Sequence, residues 1–140
     1  MSKLGAFYIT KHSGAKQSAT VIFFHGSGGF SMGGALSFHT AFRWDRSLAA
    51  TFVFSSFLNN KSVVYEELKN ASGVRTPPLL QIHGDSDDLV DISWGQSTFN
   101  ELKAHGVQGE FHIMPRLGHS INRKGMLLIK DFIDKHLPEL

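Results

Sequence analysis

Short apolar segments alternate with amphipathic ones along most of the 140-residue chain. The apolar segments are five or six residues long and rich in β-branched and aromatic side chains, which is typical of strands buried in a sheet. They predict strands over residues 6–10, 19–24, 50–55, 79–83 and 110–114.

The segments between these strands have the periodicity of helices with one buried face. They predict helices over residues 32–43, 62–70, 93–105 and 120–136. Gly106 follows the third helix and Pro138 the last, as is usual where helices end. Strands that alternate with helices indicate an α/β fold. We expect one domain over residues 1–140, with a mainly parallel sheet of about five strands and helices on both faces.

The composition excludes several classes of protein. Hydrophobic residues make up 41% of the chain, enough for the core of one domain. The net charge is +2 and the charged residues are scattered, so no basic stripe indicates nucleic-acid binding. The chain has no cysteine, which excludes disulfides, thiolate metal sites and a cysteine nucleophile.

The chain shows no targeting or membrane signal. Its first residues lack the apolar core of a signal peptide, and no window approaches the roughly 18 apolar residues of a membrane span. We therefore expect a soluble, cytoplasmic protein without an integral membrane segment. The sequence does not indicate its oligomeric state.

A glycine-rich turn separates the second predicted strand from the first predicted helix. Residues 29–33, Gly-Phe-Ser-Met-Gly, fit the G-x-S-x-G pattern in which a nucleophilic serine projects from a sharp strand-to-helix turn. Glycines on either side allow the backbone to pass without Cβ clashes. Ser31 is therefore a candidate nucleophile, although a tight structural turn would give the same pattern.

Two further strand ends carry residues that complement a nucleophilic serine. An acidic loop with Asp85, Asp87 and Asp88 follows the fourth strand, and His119 follows the fifth. Sites in such folds form at the carboxyl ends of strands, and the order Ser, Asp, His is that of α/β-hydrolases. Ser31 would attack a carbonyl, His119 would take its proton, and one of the aspartates would orient the imidazole.

Other interpretations of the same residues are weaker. The glycine run is not a phosphate-binding P-loop, because Ala35 stands where that motif requires lysine. It does not match the dinucleotide-binding pattern G-x-G-x-x-G either. His83 and the three aspartates do not form a closed ligand set, so no metal is expected. Taken separately, the acidic loop would more often be a solvated turn.

Four segments, residues 29–34, 54–58, 83–90 and 118–119, resemble the acyl-protein thioesterase and lysophospholipase-like carboxylesterase family. The resemblance implies a truncated α/β-hydrolase with Ser31 as nucleophile, Asp87 as the acid and His119 as the base. The backbone N–H groups of Met32 and Ser27 would form the oxyanion hole. The implied reaction is hydrolysis of carboxylic esters and of S-acyl thioesters, including those on acylated proteins, without a cofactor.

The chain departs from this family in one respect. The family separates its His-Gly loop from the serine elbow by a long segment, whereas Ser27 and Ser31 are four positions apart here. We expect residues 19–24 to take the place of the missing strand and lead into the elbow, so that the Ser27 N–H no longer reaches the oxyanion. Losing one such donor costs about 2.7–4 kcal/mol. The alternatives are therefore a weakened serine hydrolase and an inactive remnant or binding protein.

Overall fold

A computed structural model of the protein describes residues 32–137, together with the backbone of residues 8–11 and 19–22. The two short segments are strands, β1 (Tyr8–Lys11) and β2 (Ala19–Ile22). They pair in antiparallel orientation, with Tyr8 opposite Ile22. They form a two-stranded sheet of their own.

The central sheet consists of three parallel strands, β3 (Thr51–Phe54), β4 (Leu79–Gly84) and β5 (Gly109–Met114), in the order β3-β4-β5. Every residue of β4 is buried. A central parallel strand is covered on both faces, which explains why even its polar residues, Gln81 and His83, are fully buried.

Within residues 32–137, four helices surround this sheet. They are α1 (Met32–His39), which continues into a π-helical turn (Thr40–Trp44), α2 (Val63–Asn70), α3 (Ile92–Ala104) and α4 (Arg123–His136). The last three begin at side chains that accept a hydrogen bond from the first turn, Ser62, Asp91 and Asn122. Such caps satisfy N–H groups that have no partner within the helix. No helix in the described part of the chain is long and apolar enough to cross a membrane.

Two apolar clusters lie on opposite faces of the sheet. Leu79 points into the cluster formed with α1, α2 and α3, which includes Phe38, Val64 and Leu102. Its neighbour Leu80 points into the other cluster, where Ile129 and Phe132 of α4 cover the sheet. The α/β architecture with helices on both faces is therefore confirmed.

The predicted five-stranded sheet is not confirmed, because β1 and β2 pair with each other and not with β3. Seven residues, 12–18, connect them, and a parallel crossover needs about a dozen or more. The expectation that residues 19–24 join the parallel sheet and lead into the serine elbow is likewise not confirmed. The connection itself, residues 23–31, lies outside the described residues.

Helix boundaries differ from the prediction by a few residues. The last helix begins at Arg123 and not at residue 120, because the Asn122 side chain accepts from the N–H of Gly125 and caps it. The third helix ends before Gly106, whose φ of +91° is the left-handed conformation expected of glycine after a helix.

Candidate active site

The loops that follow β4 and β5 are joined by hydrogen bonds at the carboxyl edge of the sheet. The N–H of Asp85 donates to Met114 O at 3.1 Å, and the N–H of Ser86 donates to Leu117 O at 3.1 Å. The Asp85 carboxylate accepts from the N–H of Arg116 at 2.6 Å. The acidic loop and the loop that carries His119 therefore form one connected unit.

Gly84 makes this close approach possible. A Cβ atom at position 84 would collide with the backbone oxygen of Leu117 and would lie 2.7 Å from that of Gly118. Backbone atoms cannot rotate away as a flexible side chain can. The absence of a side chain at Gly84 therefore sets the distance between the two loops.

Asp87 and His119 meet where the two loops join. His119 Nδ1 lies 3.0 Å from Asp87 Oδ2 and 3.2 Å from Oδ1. Because a carboxylate only accepts hydrogen bonds, Nδ1 carries the proton. The Asp87 side chain is fully buried, whereas that of His119 remains 23% exposed. Asp87 thus fixes the imidazole through Nδ1, and no other residue of the described ranges forms a hydrogen bond with Nε2.

The acidic loop folds around the Asp87 carboxylate. Oδ1 accepts from the N–H of Val90 at 2.9 Å and from that of Leu89 at 3.0 Å. Burial favours the neutral carboxyl and acts to raise the pKa of Asp87, but these two bonds oppose it. The hydroxyl of Ser55 and the His119 ring act in the same direction as the two bonds. Together they hold the pKa of Asp87 below its ordinary value, so the residue is an anion at neutral pH.

His83, in β4, packs against the acidic loop that contains Asp87. Its ring is completely buried, and Nε2 donates to Val90 O at 2.9 Å while lying 3.5 Å from Asp87 Oδ2. A Cβ atom at Gly95 would collide with the ring. His83 therefore packs tightly between α3 and the loop and holds the residue whose N–H binds Asp87.

The three aspartates of the loop differ in their surroundings. Asp85 binds the backbone of Arg116, Asp87 contacts His119, and Asp88 is exposed. The described residues contain no group of three or more histidine and acidic side chains arranged to hold a metal ion. The residue pattern left the choice among the aspartates open, and the family resemblance implied Asp87. The structure brings Asp87 alone of the three to the imidazole.

The other predicted site residues lie at or beyond the start of α1. Met32 is the first described residue of that helix and is 72% exposed. Ser31 and Ser27 lie outside the described residues. Gly34 packs so closely on Ser56 that a Cβ would collide with its hydroxyl. Since Ser56 follows the carboxyl end of β3, the first turn of α1 lies at the same edge of the sheet as the two loops.

Ser55 is a site residue that sequence reasoning missed. Residues 54–58 contributed to the family resemblance, but no role was predicted for Ser55. The available signal was its position, since it directly follows a parallel strand and so belongs to the edge where such sites form. Its hydroxyl is buried and contributes to lowering the pKa of Asp87.

Comparison with known proteins relates residues 27–137 to the phospholipase/carboxylesterase family. Mouse lysophospholipase-like protein 1 is 43% identical over 111 residues, a match that covers 79% of this chain and 46% of the mouse protein. Acyl-protein thioesterase 1 homolog 1 of Dictyostelium discoideum is 35% identical over 113 residues, covering 80% and 48%.

Solved structures agree with these relatives. The crystal structure of Arabidopsis thaliana SOBER1 superposes with a TM-score of 0.67 at 31% identity, covering 78% of this chain and 51% of that protein. The crystal structure of esterase PE8 gives 0.66 at 28% identity, covering 77% and 48%. The chain thus spans about half the length of the relatives it matches. The match over residues 27–137 and the identity to these relatives show that the chain belongs to the phospholipase/carboxylesterase family.

Proposed function

We propose that this protein is a serine hydrolase that cleaves carboxylic esters and S-acyl thioesters. The observation that carries the proposal is the Asp87–His119 pair, joined at 3.0 Å. Within residues 32–137 the imidazole Nε2 has no hydrogen-bond partner, so a nucleophile could bind there. The first turn of α1 lies at the same edge of the sheet, and Ser31 directly precedes that helix. Relatives named acyl-protein thioesterases support the choice of substrate bond.

In this proposal each residue has one task. His119 Nε2 takes the proton of the Ser31 hydroxyl as its oxygen attacks the acyl carbonyl, and then delivers that proton to the departing alcohol or thiol. A water molecule releases the acyl group from Ser31 by the same steps. Asp87 keeps the Nδ1 proton in place and stabilises the imidazolium that forms between the steps.

The negative oxygen of the intermediate requires hydrogen-bond donors. The N–H of Met32 is in the first turn of α1, where backbone N–H groups have no partner within the helix. It is the first proposed donor, and the Ser27 N–H is the second. We propose further that the chain is a single hydrolase domain shortened between these two positions, which agrees with matches that cover 46% and 48% of two relatives.

Labelling with a fluorophosphonate tests the proposal, because such probes react with an activated serine. We expect the wild-type protein to be labelled and to hydrolyse a short p-nitrophenyl ester and an S-acyl peptide, with thiol release followed for the latter. Ser31→Ala should abolish all three signals. Ser97→Ala, which removes an exposed hydroxyl from α3, is the matched control and should retain them. Equal background signals from the wild type and Ser31→Ala would refute the proposal.

The second candidate is a hydrolase remnant that binds acyl compounds without cleaving them. It is favoured by the length of the chain, about half that of its relatives, and by the short spacing of Ser27 and Ser31. Binding of a non-hydrolysable acyl analogue without Ser31-dependent turnover would support this candidate. Turnover that disappears in Ser31→Ala excludes it.

The cytoplasmic location stays a prediction.

A further inference from the structure

Ser55 has a backbone conformation that serine rarely adopts. Its φ is +44°, in the left-handed region that disfavours side chains with a Cβ atom. Only one other described residue that is not glycine, Arg116, has a positive φ. Strained residues of this kind persist where the surrounding structure enforces them, and they are concentrated at functional sites.

The backbone on both sides of Ser55 is fixed. The N–H of Ser55 donates to Ile82 O at 2.9 Å and extends the pairing of β3 with β4. The carbonyl of Ser56 accepts from Gln81 Nε2 at 3.0 Å, and the N–H of Leu58 donates to Thr98 Oγ1 at 2.9 Å. The direction of the Ser55 side chain is therefore determined by its neighbours on β4 and α3.

The Ser55 hydroxyl is buried without a partner of its own. The residue is 4% exposed. Its Oγ atom has no partner in residues 32–137 at the distance and angle of a formed hydrogen bond. A buried hydroxyl without a partner is costly, so it is expected to have a function or an acceptor within reach. Asp87 is the acidic group within its reach, because the hydroxyl contributes to keeping the pKa of that carboxyl low.

We propose that Ser55 is a positioning residue of the active site, whose hydroxyl donates to the Asp87 carboxylate and holds it in the orientation that meets His119. The left-handed backbone is what directs this hydroxyl from the end of β3 to the loop after β4. The two Asp87 oxygens would then be held by Val90, Leu89, His119 and Ser55 together. The role of Ser55 in catalysis rests on the proposed function, whereas the hydrogen bond from Ser55 to Asp87 does not.

The titration of Asp87 tests this without requiring activity. In wild-type protein and in Ser55→Ala, Ser55→Gly and Ser56→Ala, the ¹³C signal of the Asp87 carboxyl would be followed against pH. We expect the pKa of Asp87 to rise in both Ser55 variants, because each loses a donor to the anion. Ser56→Ala should titrate like the wild type, since Ser56 Oγ donates to Phe54 O at 2.7 Å.

The Ser55→Gly variant distinguishes the effect of the lost hydroxyl on Asp87 from an effect on the stability of the fold. Ser55→Gly removes the hydroxyl but tolerates the left-handed conformation, so its urea midpoint should be at least that of Ser55→Ala. Asp91, whose pKa is lowered by its contacts with Ser93, is the internal reference and should not change. An Asp87 titration that is the same in the wild type and both Ser55 variants would overturn the proposal.

Activity provides the second measurement. We expect kcat/KM for a p-nitrophenyl ester to fall about tenfold in Ser55→Gly, as for loss of one hydrogen bond to a charged group. If the wild type shows no Ser31-dependent turnover, the proposed function fails and the titration alone decides the role of Ser55. If turnover is present but both the rate and the Asp87 titration are unchanged in Ser55→Gly, only the positioning role fails.

Discussion

The side chain of Asp87 is fully buried, although two of its neighbours in the loop, Asp85 and Asp88, are exposed. Burial alone would favour a neutral carboxyl. The N–H groups of Leu89 and Val90 reverse this preference and hold the pKa of Asp87 below its ordinary value. The charge that orients His119 therefore depends on the local fold of its own loop.

This arrangement makes stability depend on Asp87 in acid. Because the folded-state pKa is lower than the unfolded value of about 3.9, the ionised carboxylate stabilises the protein above that value. The contribution is lost as the pH falls through the lower, folded-state pKa. In urea unfolding at successive pH values below about 5, we expect Asp87→Asn to lose less stability on acidification than the wild type.

Asp88→Asn is the matched control for this experiment, because it removes an exposed carboxylate from the same loop. Its stability should follow the wild-type curve. Parallel curves for the wild type and Asp87→Asn would show that the Asp87 hydrogen bonds do not favour the folded anion.

At the scale of the elements, the site depends on how closely two loops approach. The Asp87 and His119 loops begin one strand apart, at the ends of β4 and β5, and their backbones are hydrogen-bonded to each other. Gly84 lies at the contact with the Leu117 carbonyl. A change at this contact acts on both loops at once.

Gly84→Ala is expected to separate the loops. The added Cβ would meet backbone atoms, so a loop must shift, and overpacking of this kind costs about 1–3 kcal/mol. Urea unfolding measures the loss, and the amide signals of residues 116–119 in NMR spectra should shift with it. Gly118→Ala is the control in the same loop, because its Cβ would lie 3.7 Å from Ser86 O, an ordinary contact. Equal stability of the two variants would contradict the tight contact at Gly84.

At the scale of the whole molecule, β4 connects the two apolar clusters. Leu79 contributes to the cluster beneath α1, α2 and α3, and Leu80 to the cluster beneath α4. Both side chains are at most 1% exposed. Because adjacent residues of one strand belong to opposite cores, the two faces of the described part should unfold together.

Leu79→Ala and Leu80→Ala test this coupling. Each deletes a buried leucine side chain and should lower the free energy of unfolding by about 2–5 kcal/mol. Trp44 and Trp94 lie on helical elements that cover the Leu79 face of the sheet. Their fluorescence should nevertheless report the destabilisation caused by Leu80→Ala, at the same urea midpoint as far-ultraviolet circular dichroism. Two separate transitions would show that the clusters unfold independently.

The type and order of the elements could be predicted from the sequence because they depend on local patterns. Alternating apolar and amphipathic segments gave β3, β4 and β5 and the four helices to within a few residues. The same reasoning predicted that the acidic loop and His119 would lie at one edge, since carboxyl ends of parallel strands meet there. It did not predict that β1 and β2 form a separate antiparallel pair, because strand pairing depends on connection length and on distant partners.

The α/β fold, the family and the residues available for chemistry at the strand ends could be predicted from the sequence, because periodicity and motif spacing are properties of neighbouring residues. Only the folded chain shows that Asp87 and His119 lie 3.0 Å apart and that Ser55 acts on the same carboxylate. Those facts depend on hydrogen bonds between residues as much as 32 positions apart. Contacts at that separation exist only once the strands are side by side, so no local pattern in the chain contains them.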